Sequence, residues 1–310
     1  MSIERIQRAN DPRVAAYQGV RDGELLRSRG LFVAEGRHIF RRVVEDGRYR
    51  VQSVLVNEAA QRELGSTIAR LDAEVPVFVS GRDELTAIAG YDVHRGCLAL
   101  VHRPPATSLD VLLAPAGMLV VLEGVTNADN VGGVFRNAAA FRAGGVLLSP
   151  TCCDPLYRKA IRTSMGATLR VPFARAASHE WPGVLTRVRA ADFTMVALTP
   201  REPAETLKAF AARPRAPRIS LIVGTEGAGL SEAAEAAADV RVRIPIDGDV
   251  DSLNLAVATG IALYELKTQN SELRTENART LEHLNRLKIE PCTELNPSGR
   301  GRRRGLSEER

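Results

Sequence analysis

The stretch "MLVVLEGVTNADNVGGVFRNAAAFRAGGVLLS", residues 118–149, decides the fold. It opens on an unbroken apolar run of strand length, which suits a strand buried on both faces. From Val131 the spacing changes: Val131, Val134, Phe135 and Ala138 fall on one stripe of a helix. A second apolar run, "GGVLLS", follows directly. Strand, helix and strand in such close succession imply a parallel crossover.

Working outward, "FTMVALT", "ISLIVGT" and "VRVRIPI" repeat the apolar run, separated by helical or Gly-rich segments. The alternation predicts an α/β fold with a mostly parallel sheet covered on both faces. Upstream, a shorter α/β pattern runs through "GRHIFRRVVEDG", "VQSVLVN", "EAAQREL", "VPVFVS", "RDELTAIAG" and "GCLALVH", then breaks at the Pro-rich "HRPPATS". The predicted organisation is an N-terminal domain over 1–104, a linker over 105–116, a second domain over 117–268, and a polar, basic extension over 269–310, partly disordered.

Composition narrows the class. The chain has 310 residues, 45% hydrophobic and 25% charged, with no bilayer-length apolar run and no N-terminal signal pattern. A cytoplasmic protein without membrane contact is expected. Its four cysteines, Cys97, Cys152, Cys153 and Cys292, form no C-x-x-C pair and have no histidines at ligand spacing, so neither metal nor disulfide is expected. Net charge is +5, with 38 arginines against four lysines. That balance suits planar recognition of phosphate and nucleic acid, although a coding bias would produce it too.

Three segments place polar groups where an apolar strand ends. In the first, Asn130 can cap the helix that follows, Gly132 and Gly133 permit close approach of another backbone, and Arg136 lies off the apolar stripe. In the second, "LIVGTEGAGLS", a buried-looking strand runs into Gly224, Gly227 and Gly229 around Glu226, a loop with bare N–H and C=O groups on offer. In the third, "VDSLNLAVATGIALYE", residues 250–265, Ser252 is a good helix cap and Asn254 brings donor and acceptor together. Small residues Ala256, Ala258, Thr259, Gly260 and Ala262 then allow another backbone to pack closely. Taken singly, each has a plainer explanation: a solvated arginine, a tight turn, ordinary capping.

As an ordered set they resemble the three motifs of the SpoU (TrmH-like) RNA 2'-O-ribose methyltransferases of the SPOUT superfamily. The matching stretches are "NVGGVFRNA", "GTEGAG" and "IPIDGDVDSLN", and "RKAIRTSMGATLRVPF" looks like the family's R-x-S-x-G segment. The resemblance spans about residues 117–267. The front half, with "FVAEGRHIFRRVVE", resembles the family's L30e-like substrate-binding domain. One departure is Arg142 in "AFRAGG", where the family commonly has glycine.

That resemblance implies a deep trefoil knot in the second domain and S-adenosylmethionine held by backbone at Gly224, Ile244 and Leu253. It implies methyl transfer to a ribose 2'-hydroxyl of structured RNA without a metal, with 23S rRNA first and tRNA second as substrate. A homodimer with its site near the interface is expected. Asn130, Arg136, Glu226, Ser252 and Asn254 are the expected catalytic set, Arg136 as a phosphate and ribose clamp oriented by Asn130. A catalytically silent RNA-binding protein on the same scaffold is the alternative. A nucleotide-dependent oxidoreductase lacks its G-x-G-x-x-G unit.

Overall fold

The computed structural model describes residues 2–115, 117–213, 217–248 and 252–267. Among these residues twelve strands fall into two sheets. The first holds β1 (Ile3–Arg5), β2 (Leu31–Glu35), β3 (Val51–Asn57), β4 (Val77–Ser80) and β5 (Cys97–His102) in the order β1-β4-β3-β5-β2. It is mixed: β4 runs parallel to β1 and β3, while β5 is antiparallel to β2 and β3.

The second holds β6 (Met118–Leu122), β7 (Gly145–Leu148), β8 (Phe173–Arg175), β9 (Thr194–Leu198), β10 (Glu205–Thr206), β11 (Ile219–Val223) and β12 (Val240–Arg243), ordered β10-β12-β9-β11-β6-β7-β8. Every pairing in it is parallel. The solid apolar runs of the sequence follow from this position. Along β6 the side chains alternate between two cores, Val120 and Leu122 on one face, Leu119 and Val121 on the other. Both faces are covered by helices, so neither set of alternate positions can be polar.

Helix Ala128–Ala140 crosses from β6 to β7 and buries Val131, Val134, Phe135 and Ala138, the stripe expected from spacing. Asn127 caps it, its Oδ1 accepting the Asp129 N–H at 2.8 Å. Asn130 therefore does not cap: it lies one turn inside and is 4% exposed. Within the segment expected to be a linker, Leu109–Leu113 is a helix capped by Ser108, with Leu112 and Leu113 packed under the second sheet. The expected extension over 269–310 lies outside the described residues.

Leu156, Ile161 and Leu169 from the second half enter the core beneath the first sheet. Helix Arg158–Thr163, which carries Ile161, also packs on helix Ala128–Ala140 through Gly132: a Cβ there would come within 2.7 Å of the Ala160 carbonyl oxygen. This short helix thus joins the two sheets. Among the described residues no helix is long and apolar enough to cross a membrane.

Candidate active site

Three neighbouring strands of the second sheet, β12, β9 and β11, end at one cavity of about 460 Å³. Ligands of open parallel sheets sit beyond the carboxyl ends of their strands, and this cavity has that position. Its wall includes Leu198 at the end of β9 and Thr199 after it, Gly224 and Glu226 after β11, and Ile244 after β12. Ser252 and Leu253, just before the final helix, and Leu255 and Ala258 within it, residues 255–267, close the cavity. Gly224, Ile244 and Leu253, far apart in sequence, are thereby brought together.

The 224–230 loop can exist only with glycine at its start. A Cβ on Gly224 would stand 2.3 Å from the carbonyl carbon and oxygen of Gly229, because the loop folds back on itself. The Gly229 N–H donates to the Thr225 carbonyl at 3.0 Å, and Gly227 and Gly229 hold φ of 89° and 73°, the left-handed region. Two residues not apparent from sequence pin this loop. Arg201 donates to the Ala228 and Leu230 carbonyls at 2.7 and 3.3 Å. Glu123, 9% exposed, accepts from the Ser231 N–H and hydroxyl and from the Trp181 indole at 2.8 to 3.0 Å. Only the apolar run "MLVVLEG" ending in a charge hinted at Glu123.

Asn254 links the three polar segments. Its Nδ2 donates to Asn130 Oδ1 at 2.9 Å and lies 3.2 Å from Glu226 Oε1, while its Oδ1 accepts the N–H groups of Ala256 and Val257 at 2.9 and 3.2 Å. Asn254 is therefore the cap of the last helix, and Ser252, expected in that role, is an exposed residue of the cavity wall two positions earlier. The side-chain amide wins because it can cap and donate at the same time. Asn137, also missed by sequence reading, holds the same helix start by donating to the Ala256 carbonyl at 2.7 Å, and Gly133 leaves room for the Ala256 methyl.

Arg136 is exposed, and among the described residues its guanidinium has no hydrogen bond or ion pair. Asn130, expected to orient it, is bonded to Asn254 instead. One turn before Gly133, Asp129 bonds Lys159 at 2.7 Å and Thr163 at 2.9 Å, and the Lys159 contact holds its carboxyl below the usual carboxylate range. Helix Ala128–Ala140 is thus fixed at both its buried and exposed edges, and the Arg136 side chain lies exposed on it.

The family description "SpoU rRNA Methylase family" matches residues 117–264. An uncharacterised tRNA/rRNA methyltransferase of Mycobacterium bovis is 35% identical over 269 residues, covering 86% of this chain and 92% of the relative. The chain belongs to the SpoU rRNA methylase family. Membership makes it an RNA methyltransferase. A further relative in Mycobacterium avium, with the same description, is 31% identical over 69% of each chain.

Two solved structures support the SpoU assignment. An RNA 2'-O ribose methyltransferase superposes with a TM-score of 0.70 at 26% identity, over 86% of this chain and 99% of that one. The SpoU methyltransferase AviRb of Streptomyces viridochromogenes gives 0.69 at 25%, over 84% and 98%. An AdoMet-bound rRNA methyltransferase of Sinorhizobium meliloti, at 22% identity, shares the fold with a TM-score of 0.72 over 86% and 98%.

Arg142 holds φ of 56° just after the helix, in the left-handed region that favours glycine. The corner is strained but exposed, away from the cavity wall.

Proposed function

We propose that the protein transfers a methyl group from S-adenosylmethionine to a ribose 2'-hydroxyl of structured RNA, 23S rRNA first and tRNA second. The observation that carries this reading is the Asn254 bridge, which ties Asn130 and Glu226 together at the mouth of the cavity. Three polar segments with no reason to meet in an ordinary parallel-sheet protein meet there.

The residues present fit the cofactor. The cavity lies in the size range of small-molecule sites, its walls at Leu198, Val223 and Leu255 suit a flat purine, and the backbone at Gly224, Ile244 and Leu253 offers neutral polar contacts. Glu226 at the rim supplies negative charge opposite a cationic donor. When bound, S-adenosylmethionine supplies a methyl carbon made electrophilic by its sulfonium.

The chain's own task is to bring a ribose oxygen into line with that carbon and keep it there. The planar, five-donor guanidinium of Arg136 acts as a forked clamp on the target phosphate and ribose. Asn130, Asn254 and Glu226 form a bonded row beside the cavity mouth, and Ser252 completes the wall. A deep trefoil knot in the second domain, an L30e-like front domain over 1–104 that grips RNA, a linker over 105–116, a methyltransferase domain over 117–268 and a cytoplasmic setting belong to the same reading. So does a homodimer: Val257, Ile261 and Tyr264 leave apolar surface exposed along one face of the last helix.

Incubation with labelled S-adenosylmethionine and separate rRNA and tRNA pools tests the reading. The expected result is label in rRNA at one nucleotide whose 3' linkage resists alkaline cleavage. Label on a base, with no resistant linkage, would overturn the ribose assignment.

A further inference from the structure

A larger cavity, about 650 Å³, lies in the first half, where the loops after β3 and β4 meet helix Arg158–Thr163. It shares no residue with the cavity beside Gly224. Glu35, at the end of β2, forms part of its wall and is 3% exposed. Its Oε1 accepts the His94 N–H at 3.1 Å, and no hydrogen bond reaches Oε2. Arg158 stands 3.7 Å from Oε2 and Arg162 3.8 Å from Oε1, ion-pair separations too long for hydrogen bonds. A carboxylate offers about four acceptor positions, and a buried one short of donors is costly. On the rim, Arg62 and Arg95 are exposed, and among the described residues neither guanidinium has a hydrogen bond or ion pair.

A buried carboxylate with an unused acceptor oxygen, in a wall whose rim carries exposed arginines, asks for a ligand with adjacent N–H donors at one end and phosphate at the other. Of the four RNA bases only guanine presents two neighbouring donors, N1–H and N2–H, on its pairing edge. Adenine and cytosine set an acceptor beside their donor, and uracil has one donor between two acceptors. We propose that this cavity reads one unpaired guanosine of the RNA substrate, its pairing edge on Glu35 and its phosphates on Arg62 and Arg95. The inference rests on the RNA methyltransferase reading above and names a determinant of its substrate.

Arg162, whose side chain is 52% exposed, turns outward to admit the base. The same helix ends at Thr163, whose hydroxyl donates to Asp129 at the start of helix Ala128–Ala140. The guanosine reader is thereby tied to the helix carrying Asn130 and Arg136, which sets the target ribose at a fixed reach from the bound guanosine.

The test uses the full chain and fluorescein-labelled single-stranded RNA decamers with one guanosine, or one inosine, in a uridine and adenosine background. Inosine lacks the N2 amino group. The guanosine decamer is expected to bind about tenfold more tightly, as for one good base-edge pair. Glu35→Gln replaces an acceptor oxygen by a donor amide and is expected to bring the two decamers within about twofold, with S-adenosylmethionine affinity unchanged. Arg95→Ala is expected to weaken both decamers by about threefold and preserve their ratio.

Equal binding of the two decamers by the unaltered chain, or a tenfold preference surviving in Glu35→Gln, would overturn the inference; the first comparison decides even if that variant fails to fold. Free guanosine monophosphate binding as tightly as the decamer would overturn the RNA assignment in favour of a mononucleotide site. A chain that binds S-adenosylmethionine and methylates RNA without preferring guanosine loses this inference alone. A chain that binds no S-adenosylmethionine loses the earlier reading, and the decamer comparison still decides this one.

Discussion

The cavity beside Gly224 is walled by backbone and by Leu198, Val223 and Leu255, whereas the one beside Glu35 is walled by arginines around a buried carboxylate. The first depends on shape, because backbone groups act only where the chain is placed to within fractions of an ångström. The second depends on charge, which acts over several ångströms and tolerates side-chain movement. One molecule thus holds a rigid site suited to a small cofactor and an adaptable one suited to a polyanion. The helix Arg158–Thr163 lines the second through Arg162 and packs on the helix that carries Asn130.

The comparison breaks most readily at Gly224. With backbone atoms of Gly229 and Leu230 within 2.3 to 2.4 Å of any added Cβ, Gly224→Ala must displace the loop. A shift costing about 3 kcal/mol lowers S-adenosylmethionine affinity roughly a hundredfold, measured by calorimetric titration. Arg136→Lys keeps the charge and loses the fork. It is expected to reduce kcat/KM for RNA roughly thirtyfold with cofactor affinity and melting temperature unchanged; near-full activity would contradict the clamp.

Asn254→Ala removes a cap and leaves the buried Asn130 carbonyl without its donor, a loss of about 2 kcal/mol in denaturant unfolding. Ser252→Ala, at an exposed position that caps nothing, is expected to stay within about 0.5 kcal/mol. Raising salt from about 50 to 200 mM should weaken RNA binding roughly tenfold while cofactor affinity moves less than about twofold, sharpening the contrast between the two cavities. The smallest effect is expected at Arg142. Arg142→Gly relieves a left-handed backbone at 56° and raises stability by about 0.5 to 1 kcal/mol, read as a higher melting temperature with activity retained.

What could be read in the sequence follows the same division. Long apolar runs such as "ISLIVGT" declared β6, β7, β9 and β11, because strands buried on both faces leave little room for polar residues, while β12 alternates valine with Arg241 and Arg243 and buries only Val242 fully. β8 and β10 have only three and two residues, too short to show any period. The caps were ambiguous for a different reason. "NADN" offers Asn127, Asp129 and Asn130, and "DSLN" offers Ser252 and Asn254, all competent by residue type. Tertiary bonds decided between them: Asn130 was drawn inward by Asn254, and Asn254 was fixed by its bonds to Ala256 and Val257. The Glu35 cavity left no local motif, since its wall is assembled from five separated segments.

Amide hydrogen exchange on the intact chain, with and without saturating S-adenosylmethionine, tests the central claim most directly. Added cofactor is expected to slow exchange together in 223–230, 244–246 and 252–258, and to leave 81–96 unchanged. Slowing confined to one of those stretches, or centred on 81–96, would show that the separated segments do not form a single cofactor site.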